Sequence, residues 1–273
     1  AGFLFPFFRN HTMRESRAQE PWAYSPRALR IIRYYVRLRY ALLPYLYNLF
    51  VEQEKNGEAI LRPLFYDFFD SPSGELAAVD DQFLVGSAIL QAPFLYERAR
   101  QRRLLLPPGC RWLRAESGRW LEGGRRLTVR KDPQKTPLFL REGSLIPFQP
   151  GVRTDNRTDL RRIGLLCCLP RDFRGTARYR YHADDGQSFE YRKGIRTEME
   201  IEARIEDRRL HLRLHPVAEG FGPVSVEPFT IHRFDALRLQ TRHERQTLSP
   251  QRELLQLTGI PFTVYRWRST AAD

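Results

Sequence analysis

The hydrophobic rhythm of this chain changes once, near Phe83, and that change limits the fold more than any other feature. Upstream, apolar residues return at three- and four-residue steps from Leu29 to Phe50, the spacing of one face of an α-helix. Downstream, strand-like runs of five to ten residues alternate with Gly, Pro and Asp turns, and no helical spacing follows. The chain is therefore expected to begin as an α/β structure and continue as an all-β one.

The helix has readable ends. Ser25 offers a hydroxyl N-cap, and Pro26 follows at the first helical position, where a missing N–H costs nothing. Lys55-Asn56-Gly57 supplies a basic last turn and a left-handed stop. Pro44 lies inside and predicts a kink, or a split after Leu43. The next run, Ala59 to Phe68, is apolar without alternation, as in a parallel strand covered on both faces. A long helix leading into such a strand is half of a βαβ unit. Beyond it, Phe83–Leu95, Arg103–Leu106, Arg119–Val129 and Pro137–Pro147 form a first β module, with Phe148-Gln149-Pro150-Gly151 as linker. A second module holds Ile163–Leu169, Thr176–His182, Ser188–Tyr191, Arg196–Ile205, Arg208–Leu214, Val224–His232 and further strands up to Trp267. Short strands at regular spacing argue for sandwiches.

A net charge of +13 over 273 residues raises the question of nucleic acid. The arginines are spread through every segment and many alternate with apolar residues, as in Leu210-His211-Leu212-Arg213-Leu214, the pattern of a solvated sheet face. The densest clusters, Arg98 to Arg103 and Arg157 to Arg162, lack the interleaved aromatics of a base-stacking platform. No nucleic-acid partner is expected. Cys110, Cys167 and Cys168 have no CxxC spacing, so no metal site is expected, and an odd number of thiols fits a reduced, cytoplasmic chain. No apolar run is long enough for a membrane span.

The opening stretch is the candidate site. An apolar run, Phe3 to Phe8, ends abruptly in Arg9, Asn10 and His11, as a buried strand or helix start would if it delivered polar groups to one place. An ordinary surface turn gives the same pattern. Trp22, beside Pro21, is either a stacking face for a sugar ring or a packing residue. Local carboxylates do not form a catalytic pair. Asp80-Asp81 and Asp184-Asp185 are adjacent in sequence and so point to opposite faces of an extended segment. Asp184-Asp185-Gly186 reads as a turn, and Glu15 and Glu20 only flank the opening loop.

Seven segments in order, FPFFRNHT, EPW, RYALLPYLYNLF, ILRPLFYDF, DDQFLVGSAILQAPFL, TPLFLREGSLIPF and YHADDGQSFEYRKG, resemble glycoside hydrolase family 31, the alpha-glucosidase and alpha-xylosidase family. The resemblance runs from Phe3 to about Gly194. It implies the end of a (β/α)8 TIM barrel followed by two C-terminal antiparallel β-sandwich domains, at residues 1–81, 82–149 and 150–273. On a barrel, active groups gather at the C-terminal ends of strands, where His11 would lie. The resemblance also implies retaining hydrolysis of alpha-linked glucosides or oligosaccharides without a cofactor. It casts His11 as a hydrogen-bond donor to sugar hydroxyls; Arg9, the second candidate substrate-binding residue, is expected to brace the site by pairing with a carboxylate, with direct contact to the sugar as the alternative.

Two carboxyl groups about 5–5.5 Å apart perform that reaction. In the family the nucleophile lies in a Trp-x-Asp-x-Asn-Glu type of motif, which is absent from this sequence. No catalytic residue is therefore assigned, and an N-terminal catalytic portion is the expected partner. The chain also departs from the family where Pro108-Gly109-Cys110-Arg111-Trp112 to Gly118 replaces an aromatic Tyr-x-x-Trp-Thr-Gly type of run, so the substrate class stays open. The competing expectation is a non-catalytic carbohydrate-binding or scaffolding β-sandwich protein.

Overall fold

In the computed structural model, which describes residues 2–69, 74–151, 158–256 and 261–269, the long helix is split in two, as Pro44 led one to expect, with the break at Leu42 instead of after Leu43. Helix α1 spans Pro26–Ala41, with the Ser25 hydroxyl accepting from the Ala28 amide at 3.2 Å. Helix α2 spans Leu43–Asn56 and stops at Gly57, which adopts φ +73°. The break falls at Leu42, whose N–H is shared between the carbonyls of Leu38 and Arg39, and Pro44 becomes a first-turn residue of α2. That placement costs Pro44 no hydrogen bond.

The Ala59–Phe68 run does not form a buried parallel strand. Strand β1 covers only Leu61–Arg62 and pairs antiparallel with β2, Phe83–Val85. Pro63 ends the ladder, and a single helical turn, α3, takes Leu64–Asp67. Leu61 and Arg62 thereby join the sheet expected to begin at residue 82.

The remaining strands follow in order. They are β3 (Ile89–Gln91), β4 (Gln101–Leu106), β5 (Arg111–Arg114), β6 (Arg119–Glu122), β7 (Arg125–Arg130), β8 (Leu138–Arg141) and β9 (Ser144–Phe148). Then come β10 (Arg162–Cys168), β11 (Ala177–Ala183), β12 (Thr197–Glu206), β13 (Arg209–Glu219), β14 (Ser225–Thr230), β15 (Leu237–Gln240), β16 (Arg245–Gln256) and β17 (Pro261–Ser269). Ser188–Tyr191, expected as a strand, instead leads into a 3-10 turn at Glu190–Lys193.

Strands β1-β2-β3-β8-β5-β6 make one antiparallel sheet, and β4 pairs with β7 in a separate ribbon. Sheet and ribbon enclose Leu84, Leu90, Leu104, Leu106, Phe139 and Trp112, whose indole donates to the Pro107 carbonyl at 2.9 Å. The other face of that sheet meets α1 and α2 through Val85, Ile89, Leu138 and Leu140 against Leu38, Leu42, Tyr45 and Leu46.

The nine-stranded sheet, ordered β11-β12-β13-β15-β16-β17-β14-β10-β9, rolls up until its end strands β11 and β9 touch. It closes around Tyr181, Ile201, Leu212, Leu237 and Trp267. Two pairings in it, β10 with β14 and β13 with β15, are parallel, so the purely antiparallel arrangement expected for this part is corrected. Strand β9 precedes the Phe148–Gly151 linker yet pairs with β10 beyond it. Gly164 makes that pairing possible, because a Cβ there would lie 2.6 Å from the Phe148 ring.

Candidate functional site

Apolar burial fixes the start of the opening segment. Gly2–Leu4 is a 3-10 turn, not a strand, and buries Phe3 and Leu4 beside α1, with the Phe3 and Tyr35 rings 4.8 Å apart. Arg39 of α1 holds the turn by its backbone. Its guanidinium donates to the carbonyls of Phe3 at 2.8 Å, Phe5 at 2.7 Å and Pro6 at 3.2 Å, and it lies over the Phe8 ring. Past Phe7 the chain swings to the surface. Asn10 closes the excursion by donating to the Gln19 carbonyl at 3.0 Å, and the 3-10 turn Pro21–Ala23 returns the chain to the Ser25 cap.

His11 is exposed at the neck of this loop, and Arg9 donates to its Nδ1. A guanidinium has no acceptor, so Nδ1 is the unprotonated nitrogen and the proton sits on Nε2, which points the imidazole's donor away from Arg9. Arg9 also stacks over Phe7 at 5.7 Å. Among the described residues the partner of Arg9 is His11, two positions on, and no carboxylate pairs with it. Trp22 is 72% exposed, with no ring or hydrogen-bond partner among the described residues. Arg9 and His11 are thus brought together, while Trp22 stands alone on the return limb.

Of the carboxylates weighed from sequence, Asp81, Asp184 and Asp185 are engaged elsewhere. Asp81 pairs with Arg102 at 2.8 Å. Asp185 accepts from the Gln187 and Ser188 amides and the Ser188 hydroxyl, as the turn reading requires. The carboxyl groups that shift, Asp132, Glu142, Asp172, Asp185 and Glu198, all shift downward. Glu142 goes down chiefly through its Arg111 hydrogen bond, and Asp185 through the Ser188 and Gln187 amides. A glycosidase acid needs a carboxyl pushed upward beside one that stays ionised, and this set lacks the raised partner. Among the described residues no group of three metal-ligating side chains occurs, and no helix is long and apolar enough to cross a membrane. Cys110, Cys167 and Cys168 are free, with Cys167 raised to about 12 by burial. Arg157, at one end of the second basic cluster, lies outside the described residues.

Sequence reasoning missed a buried polar clasp between α2 and the rolled sheet. Asn48, 1% exposed, accepts from the His182 amide at 2.7 Å and donates to the carbonyls of His182 at 3.0 Å and Pro44 at 2.9 Å. Tyr47 donates to Asp184 at 2.5 Å, and the His182 ring meets Glu52 at 2.9 Å. Lys55 pairs with Glu198 at 2.7 Å. The signal was a lone Asn among the apolar helix positions Leu46 and Leu49. Alongside the clasp a polar cleft of about 950 Å³ opens between α2 and the two sheets, its Glu142 tied to Arg111 and its Arg62 to Glu58 and Asp67.

Comparison with known proteins bears on both halves of the chain. Residues 1–49 match the family model described as the glycosyl hydrolases family 31 TIM-barrel domain, and residues 57–146 match the glycosyl hydrolase family 31 C-terminal domain. Alpha-glucosidase 2 of Bacillus thermoamyloliquefaciens is 35% identical over 211 residues, covering 77% of this chain and 26% of that protein. Neutral alpha-glucosidase C of Mus musculus is 31% identical over 198 residues, covering 70% and 21%. The chain thus spans about a quarter of the length of the curated relatives it matches. Among solved structures, the ER glucosidase II heterodimeric complex superposes with a TM-score of 0.78 at 20% identity, covering 99% of this chain and 30% of that one. The GH31 dextranase of Flavobacterium johnsoniae in complex with isomaltotriose gives 0.73 at 20% identity, covering 92% and 34%.

Proposed function

The chain belongs to glycoside hydrolase family 31, matching its TIM-barrel and C-terminal-domain models in turn, and from that premise we propose that it serves retaining hydrolysis of alpha-linked glucosides as the C-terminal part of an alpha-glucosidase-type enzyme. Its contribution is one positioning donor and the β-rich body that carries it. The nucleophile and the acid/base come from an N-terminal catalytic portion outside these 273 residues, and no cofactor takes part.

One observation carries the reading. His11 presents Nε2–H from an exposed loop while Arg9 fixes the tautomer, the geometry needed to donate to a sugar hydroxyl. A charged ammonium on a flexible stem would orient a sugar less well. The rigid side of the loop is the Arg39-held turn, which keeps the donor from drifting. Trp22 on the return limb is placed to offer an apolar face at the rim.

The test is hydrolysis of a chromogenic alpha-glucoside by the chain alone and by the chain combined with the N-terminal portion. Turnover is expected only in combination. His11→Ala should lower kcat/KM about tenfold, the equivalent of about 1.4 kcal/mol from one hydrogen bond to the reacting sugar. Turnover by the 273-residue chain alone, or an unaffected His11→Ala enzyme, refutes the assignment.

A second reading, a non-catalytic carbohydrate-binding or scaffolding protein, is favoured by a different observation: among the described residues His11 has no carboxylate partner. Sugar binding without turnover in every combination would establish it.

A further inference from the structure

The outer face of the rolled sheet holds a groove of about 500 Å³, far in sequence from the opening loop, and its register aligns arginines that look scattered in the sequence. One transverse row runs Arg178, Glu202, Arg213, Gln240, Arg245 across β11, β12, β13, β15 and β16. The next row, two residues along the strands, runs Arg204, His211, Arg238, Thr247. Side chains two apart on a strand share a face about 7 Å apart, and neighbouring strands lie about 4.8 Å apart, so Arg213, Arg238 and Arg245, on the three adjacent strands β13, β15 and β16, fit within reach of one small ligand.

The charges there are not balanced. Arg178 is taken by Glu202 at 2.9 Å and Arg204 by Glu206 at 3.2 Å. Arg213, Arg238 and Arg245 are exposed and have no ion-pair or hydrogen-bond partner among the described residues. Gln240, Gln246 and Thr247 add neutral polar groups to the lining. Burial holds the His211 imidazole below its ordinary range, and although Glu206 pulls it back up, Arg238, Arg204 and Arg209 add to the depression. The positive field is thus felt inside the groove as well as at its rim. No Phe, Tyr or Trp side chain lines it, so the broad apolar face on which a pyranose ring or a nucleobase stacks is missing from the lining.

We propose that this groove is a binding site for a small molecule carrying a phosphate group, with the unpaired guanidiniums of Arg213, Arg238 and Arg245 as its clamp. A guanidinium presents a planar fork matched to the oxygens of a phosphate, and three forks around one concavity suit a compact polyanion better than a flexible chain. The volume lies in the range of small-ligand sites.

The probe is inorganic pyrophosphate, titrated calorimetrically into the protein, with a single-stranded oligonucleotide as the second arm. The expected result is one equivalent bound, with affinity falling at least tenfold in the double variant Arg213→Glu/Arg238→Glu. Arg119→Glu/Arg125→Glu, which makes the same charge change on β6 and β7, is expected to bind as the wild type does. A gentler pair, Arg213→Gln/Arg238→Gln, should weaken binding in the same direction, and circular dichroism on all variants confirms the fold. Equal loss in the groove and control variants would reduce the effect to net charge and overturn the site. No pyrophosphate binding overturns it too, as does an oligonucleotide that binds more tightly than pyrophosphate through these same arginines.

Discussion

Replacing Asn48 with alanine removes the residue that ties α2 to the rolled sheet, and the structure sets the size of the loss. Asn48 satisfies both backbone groups of His182, the N–H at 2.7 Å and the C=O at 3.0 Å, in a place where Asn48 is 1% and the His182 side chain 2% exposed. Leaving a buried donor and a buried acceptor without partners costs about 1–2 kcal/mol each. The space vacated by the carboxamide, about 40 Å³, adds about 1 kcal/mol at about 24 cal/mol per Å³ of cavity. Asn48→Ala is therefore expected to destabilise the protein by about 3–5 kcal/mol. Urea unfolding measures it through a lower midpoint at unchanged slope. Hydrogen exchange places it, because the His182 amide should lose protection before amides of the β4–β7 ribbon. Asn48→Asp keeps an acceptor for the amide but sets a carboxylate against the His182 carbonyl, so it should be no better tolerated. A loss below about 1 kcal/mol, with the His182 amide still protected, would refute the clasp as a source of stability.

Three further outcomes are expected. Burial is the leading cause that lowers His182, His211 and His232, so each stays neutral in the fold while the unfolded chain takes up protons near pH 6.5. The unfolded state then binds more protons as pH falls below about 6.5, and stability should decline there until the folded-state values are passed. Denaturant midpoints between pH 7.5 and pH 5 check the sign, and His182→Gln should flatten the slope; stability rising toward pH 5 refutes it. Gly86 sits at φ +55°, and a Cβ there would overlap Tyr45 Oη and Leu49, so Gly86→Ala should cost about 2–3 kcal/mol by thermal melting, whereas a change below about 0.5 kcal/mol refutes that packing. Arg39→Met should free the carbonyls of Phe3, Phe5 and Pro6, speeding amide exchange over residues 3–8 while leaving β12 and β13 unchanged; unaltered exchange in the opening turn would dismiss the Arg39 clamp.

Local structure was legible wherever the chemistry that makes an element is itself local. The Ser25 cap, the Gly57 stop and the alternation of Leu210 to Leu214 each act over a few residues, and each appears where the sequence puts it. Pairing was not legible. Nothing near β9 states that its partner is β10 across a proline-containing linker; the decisive residue is Gly164, whose missing side chain makes room for Phe148. The Ala59–Phe68 run misled because burial and strand formation were treated as one signal. Leu64 is fully buried, yet it is buried from a helical turn after Pro63. At the candidate site, His11 is legible through resemblance, while its contact with Arg9 is not, since spacing alone does not encode which partner the guanidinium takes. The arginine rows were invisible for a related reason, since only the register of five strands brings Arg178, Arg213 and Arg245 onto one line.

The YHADDG segment lies some 170 residues from His11, yet a continuous load path links the two. His182 and Asp184 hold Asn48 and Tyr47 on α2, and Lys55 adds an ion pair to Glu198 on β12. Helix α2 runs back through Leu42, buried against Ile89 and Leu140, into α1 with only one non-helical residue between them. From α1, Arg39 grips the three carbonyls that precede the loop, and Asn10 closes the loop around His11 by donating to the Gln19 carbonyl. Every joint in this path is a buried or part-buried hydrogen bond or a packed apolar contact, apart from the exposed Asn10 bond. For the proposed role of His11 such support would matter, because a misplacement of about 1 Å can cost a hundredfold in rate. On that proposal the β-rich half is a mechanical foundation for the loop, and loosening the clasp, as in Asn48→Ala, should blur the position of His11 without changing His11 itself.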